Sequence, residues 1–244
     1  MDSNNEIKPL SLYQSILLFC IPAAFFGFIA YLVIPYFNEV LGFHSALSWF
    51  YGGYLIFIPL FVLALVMYKL ENRKMKIKLI LERFRIEKLS KNDLMWTVIS
   101  AVSILLLTAL IMLLSRLISV KFGVPELKTT PPFMEFQALS GDQRLYLVVW
   151  FPMFFFNIVG EEILWRGYIL PRQELFHGKY SWLVNSILWA VFHLCFGFDL
   201  IVILFPTLLI IPYVVSKTKN TTVGIITHAL LNGPMFIMVA LGII

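Results

Sequence analysis

Residues 148–170 read VVWFPMFFFNIVGEEILWRGYIL. The first thirteen positions carry no charge; then two adjacent glutamates, Glu161 and Glu162, break the apolar run, and Arg166 follows four positions after Glu162. With its neighbours the stretch is long enough to cross a bilayer core about 30 Å thick, which takes roughly 20 helical residues. Ionisable groups inside such a helix are costly, so they face the bundle interior and mark a function.

The rest of the chain repeats the apolar theme. Of its 244 residues, 60% are hydrophobic, against about 45–50% in an average soluble domain. A globular protein of this size cannot hide that excess and still keep a polar surface. Apolar stretches run near 10–36, 46–68, 94–118, 145–170, 181–197, 200–215 and 222–243, the fifth and sixth being short and separated by Gly197 and Asp199. The expected fold is all-α: a polytopic membrane helix bundle of about seven to eight transmembrane helices. It forms a single membrane domain, 1–244, in which 1–140 supplies N-terminal helices and loops and 141–244 the core. The last four helices enclose the cavity. The first stretch is too long for a signal-peptide apolar region and its leader is not basic, so it is expected to remain in the mature protein. Cys20 and Cys195 sit in apolar runs with no metal-type spacing and read as buried thiols.

Charge sets the orientation. With a cytoplasmic N-terminus, the inner segments hold 15 of the 19 Lys and Arg; only Arg116, Lys121, Lys128 and Arg144 fall outside. The positive-inside rule favours that arrangement. The net charge of +5 therefore reads as membrane topology, and no nucleic-acid partner is expected. Residues 76–86, KIKLILERFRI, read either as an interfacial helix or as an ordinary basic loop. The proline-bearing segment 121–142 is expected to be extracytoplasmic and irregular. Asn220-Thr221-Thr222 fits a glycosylation acceptor but falls in a short inner loop, so no glycan is expected.

Polar groups gather in three of the C-terminal spans. Glu162 and Arg166 are four apart, share a helix face and can pair, which holds Glu162 ionised. Glu161 is rotated by about 100° from that face, and is the freer carboxylate and the better candidate base. His193 follows Trp189 by four positions, and Asn232 follows His228 by four. Counting about 1.5 Å per residue from the inner ends puts Glu161, His193, His228 and Asn232 roughly 9–18 Å deep, in one band of the inner half. Each has a bland reading: a solvated helix end for the glutamates, a structural hydrogen-bond partner for a lone histidine, a helix-joining amide for Asn232. The combination carries the case. His44 and His177 are expected in solvated loops, Asp199 in an outer turn, and Pro206 and Pro212 only shape their helix.

A carboxylate with a histidine can orient and deprotonate water, and a histidine with an asparagine amide can donate to a developing oxyanion. Glu161, His193, His228 and Asn232 supply those roles. Neither cysteine is paired with a histidine in a readable motif, and no Gly-x-Ser-x-Gly elbow is present. Zinc is the alternative: Glu161, His193 and His228 are suitable ligand types across three helices, although the helical HExxH pattern is absent.

The three motifs resemble those of the CPBP intramembrane proteases, which include type II CAAX prenyl endopeptidases and bacterial Abi-type proteins. The family pattern is Glu-Glu-x-x-x-Arg, Phe-x-x-x-His, then His-x-x-x-Asn or Asp. Glu161-Glu162 with Arg166 fits the first and His228 with Asn232 the third; in the second, Trp189 replaces the usual Phe before His193. The resemblance covers about residues 145–240. It implies a CPBP-type catalytic core within 141–244 and an endopeptidase acting on membrane-associated or lipidated, CAAX-like peptides. Glu161 and His193 would activate water, His228 and Asn232 would hold the oxyanion, Glu162 and Arg166 would support the site, and Trp189 would narrow the substrate opening. Some members carry the metalloprotease label, but likeness to the prenyl endopeptidases implies a glutamate mechanism with no cofactor. The expected partners are a peptide or protein substrate, prenylated or not, and the lipid bilayer. The expected location is the plasma membrane with the site opening to the cytoplasm. Two other classes compete: a non-proteolytic membrane binding module, for which Glu161→Ala would be silent, and a transporter or proton relay, for which flux would be ion-dependent.

Overall fold

The computed structural model describes residues 7–134 and 138–243. These are helical with no strand. α1 (Leu12–Phe28) runs through a π-helical turn, Ile29–Val33, into α2 (Ile34–Glu39). α3 (Ser45–Leu70), the short α4 (Ile77–Arg83) and the long α5 (Lys91–Phe122) follow. α6 (Leu147–Glu162) continues through a second π-helical turn, Ile163–Ile169, into α7 (Leu170–His177). α8 (Ser181–Phe192), α9 (Phe198–Thr218) and α10 (Thr221–Ala240) complete the bundle.

Six helical runs among the described residues are long and apolar enough to cross a membrane, and the protein is an integral membrane protein. The difference from the expected seven has a local cause. The fourth and fifth stretches fall in one nearly unbroken helical run, Gly141–Phe192. That run doubles back at Gly178, whose φ of +56° suits glycine. Asn185 on α8 then donates to Trp165 O and to Gln173 Oε1, at 3.1 and 2.9 Å. The two arms thus lie antiparallel.

Lipid tails are as apolar as leucine, so helices in a membrane are held by close packing and polar contacts instead of by burial from water. The outer surface is accordingly rich in exposed leucine, isoleucine, valine and phenylalanine, above all along α5. α3 packs most extensively against α6. Gly160 lets their backbones meet: a Cβ there would lie 2.9 Å from the Phe57 carbonyl oxygen.

Both π-helical turns run into a proline, Pro35 and Pro171. Proline has no N–H and clashes with the carbonyl four residues back, so the helical ladder must be displaced there. For Pro171 that carbonyl belongs to Gly167, and Arg83 Nη1 donates to it at 3.2 Å. Gly167 also packs on Phe84, which a Cβ would approach to 3.0 Å. α4 is therefore a helix, with Ile77 and Leu79 exposed but Arg83 buried. It braces the loop that follows it against the π-helical turn that carries Arg166. Thr221 extends the anchor to α10 by donating from N to Arg85 O and from Oγ1 to Phe84 O, both at 2.7 Å.

Several smaller expectations change. His44 is the half-buried N-cap of α3, its Nδ1 accepting from Ala46 N at 3.2 Å, and His177 lies in the last turn of α7. Neither is a solvated loop residue. Asp199 sits in the first turn of α9 and accepts from Lys128 N. Asn220 is the N-cap of α10 and only 3% exposed. The segment after α5 is irregular up to the 3₁₀ turn Gly141–Tyr146, as expected, with 135–137 outside the described residues.

Glu71, just past α3, gathers Arg83 at 2.7 Å, Arg73 at 2.8 Å and Arg172 at 3.8 Å. Burial by itself would raise its carboxyl, but the hydrogen bonds and charges of Arg83 and then Arg73 hold it below the ordinary carboxylate range. A depressed folded-state value means its stabilisation is complete above the unfolded-state value near pH 4.3 and is lost as pH falls through the lower folded value. Glu71→Gln is expected to cost about 3 kcal/mol by stranding buried Arg83. Thermal unfolding in detergent checks this: the wild type should weaken as pH falls below about 4, and the variant should start lower and respond less.

Candidate active site

Glu161 and Glu162 end α6, where successive side chains point about 100° apart. Glu162 therefore faces α10 while Glu161 faces α8, and each carboxylate has its own partners. Glu162 is fully buried; its Oε1 lies 3.0 Å from His228 Nδ1 and 3.3 Å from Arg166 Nη1. The Arg166 pairing bridges the junction between α6 and the π-helical turn. Gly224 makes room on α10: a Cβ there would stand 2.6 Å from Glu162 Oε2.

Glu161 is 1% exposed and makes no ion pair within hydrogen-bonding reach. It is not free, however. Asn157, one turn earlier on α6, donates Nδ2–H to its Oε1 at 2.9 Å, and Trp189 on α8 donates Nε1–H to its Oε2 at 2.7 Å. Trp189 is 1% exposed, so its indole is turned to the carboxylate and not to an open substrate mouth. The Arg166 guanidinium lies over that indole, 3.5 Å from the ring centroid, a cation–π contact strengthened by the absence of water.

The two histidines flank the same indole edge-on, with centroids 5.3 Å (His193) and 5.5 Å (His228) from it. His193 caps the end of α8 instead of lying within it. Its Nδ1 is 2.9 Å from Trp189 O. A carbonyl only accepts, so the proton sits on Nδ1 and the neutral ring presents a lone pair at Nε2. His228 Nδ1 faces the Glu162 carboxylate and its Nε2 faces Asn232 Nδ2 at 3.0 Å. In a neutral His228, Nδ1 donates to Glu162 and Nε2 accepts from Asn232, leaving the second amide N–H of Asn232 for another acceptor.

The structure thus gathers Glu161, Glu162, Arg166, Trp189, His193, His228 and Asn232 around one indole ring and one ion pair. Asn157 is the member that sequence reading passed over. Its signal was the i, i+4 spacing to Glu161 in an otherwise apolar helix.

Both ring nitrogens of His228 face protein partners, Glu162 and Asn232, so His228 turns no free donor atom toward a metal in this arrangement. No three His, Cys, Asp or Glu side chains among the described residues are grouped as a metal would need.

If Glu162 is the counter-charge that lets Arg166 be buried, its removal harms the fold before the chemistry. Glu162→Gln is expected to lose about 3–5 kcal/mol, read as a lowered unfolding midpoint in detergent. A midpoint equal to wild type would show that the ion pair is not needed.

Residues 143–233 match the family described as type II CAAX prenyl endopeptidase Rce1-like. The match bears out the resemblance read from the three motifs and supports a protease of the CAAX type. No curated protein and no solved structure matches the chain.

Proposed function

We propose that the chain hydrolyses peptide bonds of membrane-associated, CAAX-like peptides inside the bilayer, with Glu161 as the general base. The observation that carries this reading is the Glu161 carboxylate: it is buried within a membrane-spanning run, makes no ion pair, and accepts from Trp189, whose indole both histidines pack against. A carboxylate so placed is costly unless it has work to do.

The chemistry follows from the hydrogen bonds. Water bound between Glu161 and the free Nε2 of His193 gives a proton to the Glu161 carboxylate as its oxygen attacks the scissile carbonyl carbon. The oxyanion takes the spare N–H of Asn232. His228 holds that amide in place, being itself held by Glu162. The C–N bond then breaks, and the proton stored on Glu161 passes to the leaving amine. No step requires a metal, and the donor set supports this glutamate route over a zinc variant. The excess of lysine and arginine in the inner segments supports a cytoplasmic N-terminus and a site reached from the cytoplasm; the membrane assigned in this reading is the plasma membrane. Substrates are peptides or proteins anchored at that surface, prenylated ones included.

The test uses the purified chain in vesicles of phosphatidylethanolamine and phosphatidylglycerol, with a quenched fluorescent peptide ending in farnesyl-Cys-aliphatic-aliphatic-X. Glu161→Gln is expected to lose cleavage by about 10²–10⁴-fold while keeping a cooperative unfolding transition. Full activity in this variant would reject Glu161 as the base. Asn232→Ala is expected to lower kcat by about 10²–10³-fold. Cleavage that vanishes with chelator and returns with zinc would instead favour metal chemistry.

A further inference from the structure

A general base must hold its oxygens toward the water it activates, and a free carboxylate can rotate away from it. Glu161 is fixed against that rotation. Asn157 Nδ2 holds Oε1 at 2.9 Å and Trp189 Nε1 holds Oε2 at 2.7 Å, so each oxygen receives one neutral donor. Each oxygen keeps another lone-pair direction for water.

We infer that Asn157 and Trp189 are a pair of positioning residues that clamp the Glu161 carboxylate and keep both of its oxygens aimed at the reacting water. The inference rests on Glu161 being the base. Trp189 is suited to the task because its ring is itself held by packing. Arg166 lies over its ring at 3.5 Å, and His193 and His228 pack edge-on against it at 5.3 and 5.5 Å. A phenylalanine at this position would preserve the ring and its cation–π contact but has no N–H. This is the one place where the chain departs from the Phe-x-x-x-His pattern, and the departure adds a donor aimed at the base.

Glu162 and Arg166 on the same helical run, His193 at the end of α8 and His228 on α10 are the charged or titratable groups gathered at this site. Trp189→Phe leaves them in place, so a change in kcat reports the lost donor.

Two measurements test the clamp. In the peptide assay, Trp189→Phe is expected to lower kcat by about 10–100-fold with KM nearly unchanged. Asn157→Ala should do the same more weakly, and serves if Trp189→Phe does not fold. Independently of activity, protein carrying ¹⁵N-labelled tryptophan has six indole N–H groups to observe. The resonance that Trp189→Phe removes is expected to move upfield in Glu161→Ala. A Trp189 resonance indifferent to Glu161→Ala, or a Trp189→Phe variant with wild-type kcat, overturns the clamp. Retained cleavage in Glu161→Gln would reject the base assignment instead, and the indole resonance would still decide whether the clamp exists.

Discussion

A buried charge in a membrane must be met by another charge or not exist, and the Glu162–Arg166 pair is where this chain meets that demand. Both side chains are fully buried, 3.3 Å apart. Around them no water-like medium screens a misplaced charge, so the helices must be held in register until the pair and its third partner, His228, are matched. Other features then fall into place as supports for that register. Gly224 clears a space for the carboxylate, Thr221 ties the start of α10 to the α4 loop, and Arg83 satisfies the carbonyl of Gly167 that Pro171 has displaced.

This constraint separates two glutamates that are adjacent in the chain. One residue step of the helix, about 100°, sends Glu162 to Arg166 and His228, where it is locked, and Glu161 to the neutral donors Asn157 and Trp189, with no ion pair. An ion-paired carboxylate is a poor base because its lone pairs are already stabilised by positive charge. On the proposed mechanism, the ion-paired member of the pair serves structure and the member held by neutral N–H groups serves the chemistry. The matched CAAX prenyl endopeptidase segment, residues 143–233, contains all of these groups except the α4 loop that braces them.

The same division explains how the two π-helical turns arise. Each precedes a proline that breaks the ladder of its helix. The second falls just after the glutamates and carries Arg166. A π turn widens the helix by one residue per turn, which changes where Arg166 projects relative to Glu162. It leaves the guanidinium able to reach both that carboxylate and the face of Trp189.

Much of this was legible in the chain itself. Apolar runs gave an all-helical membrane bundle because only helices and closed barrels satisfy backbone polar groups in lipid, and the four-residue spacings of Glu162 to Arg166 and His228 to Asn232 named pairs that do meet. Local periodicity could see those because both partners ride one helix. It could not see Trp189 reaching Glu161, nor Arg83 reaching Gly167, since each contact joins helices whose rotation and approach are set by packing. Asn157 lies one turn before Glu161 on the same helix, a spacing that was legible and passed over; the Trp189 donor comes from α8, and spacing along the chain could not show it. The fold-back at Gly178, which joins two expected spans into one helical run, likewise emerged only when α8 found its hydrogen bonds on the other arm. Sequence by itself determined which groups had to be buried and that they needed partners. Tertiary structure alone decided which partner each received, because in a bilayer that choice depends on distances between helices that no spacing along the chain encodes.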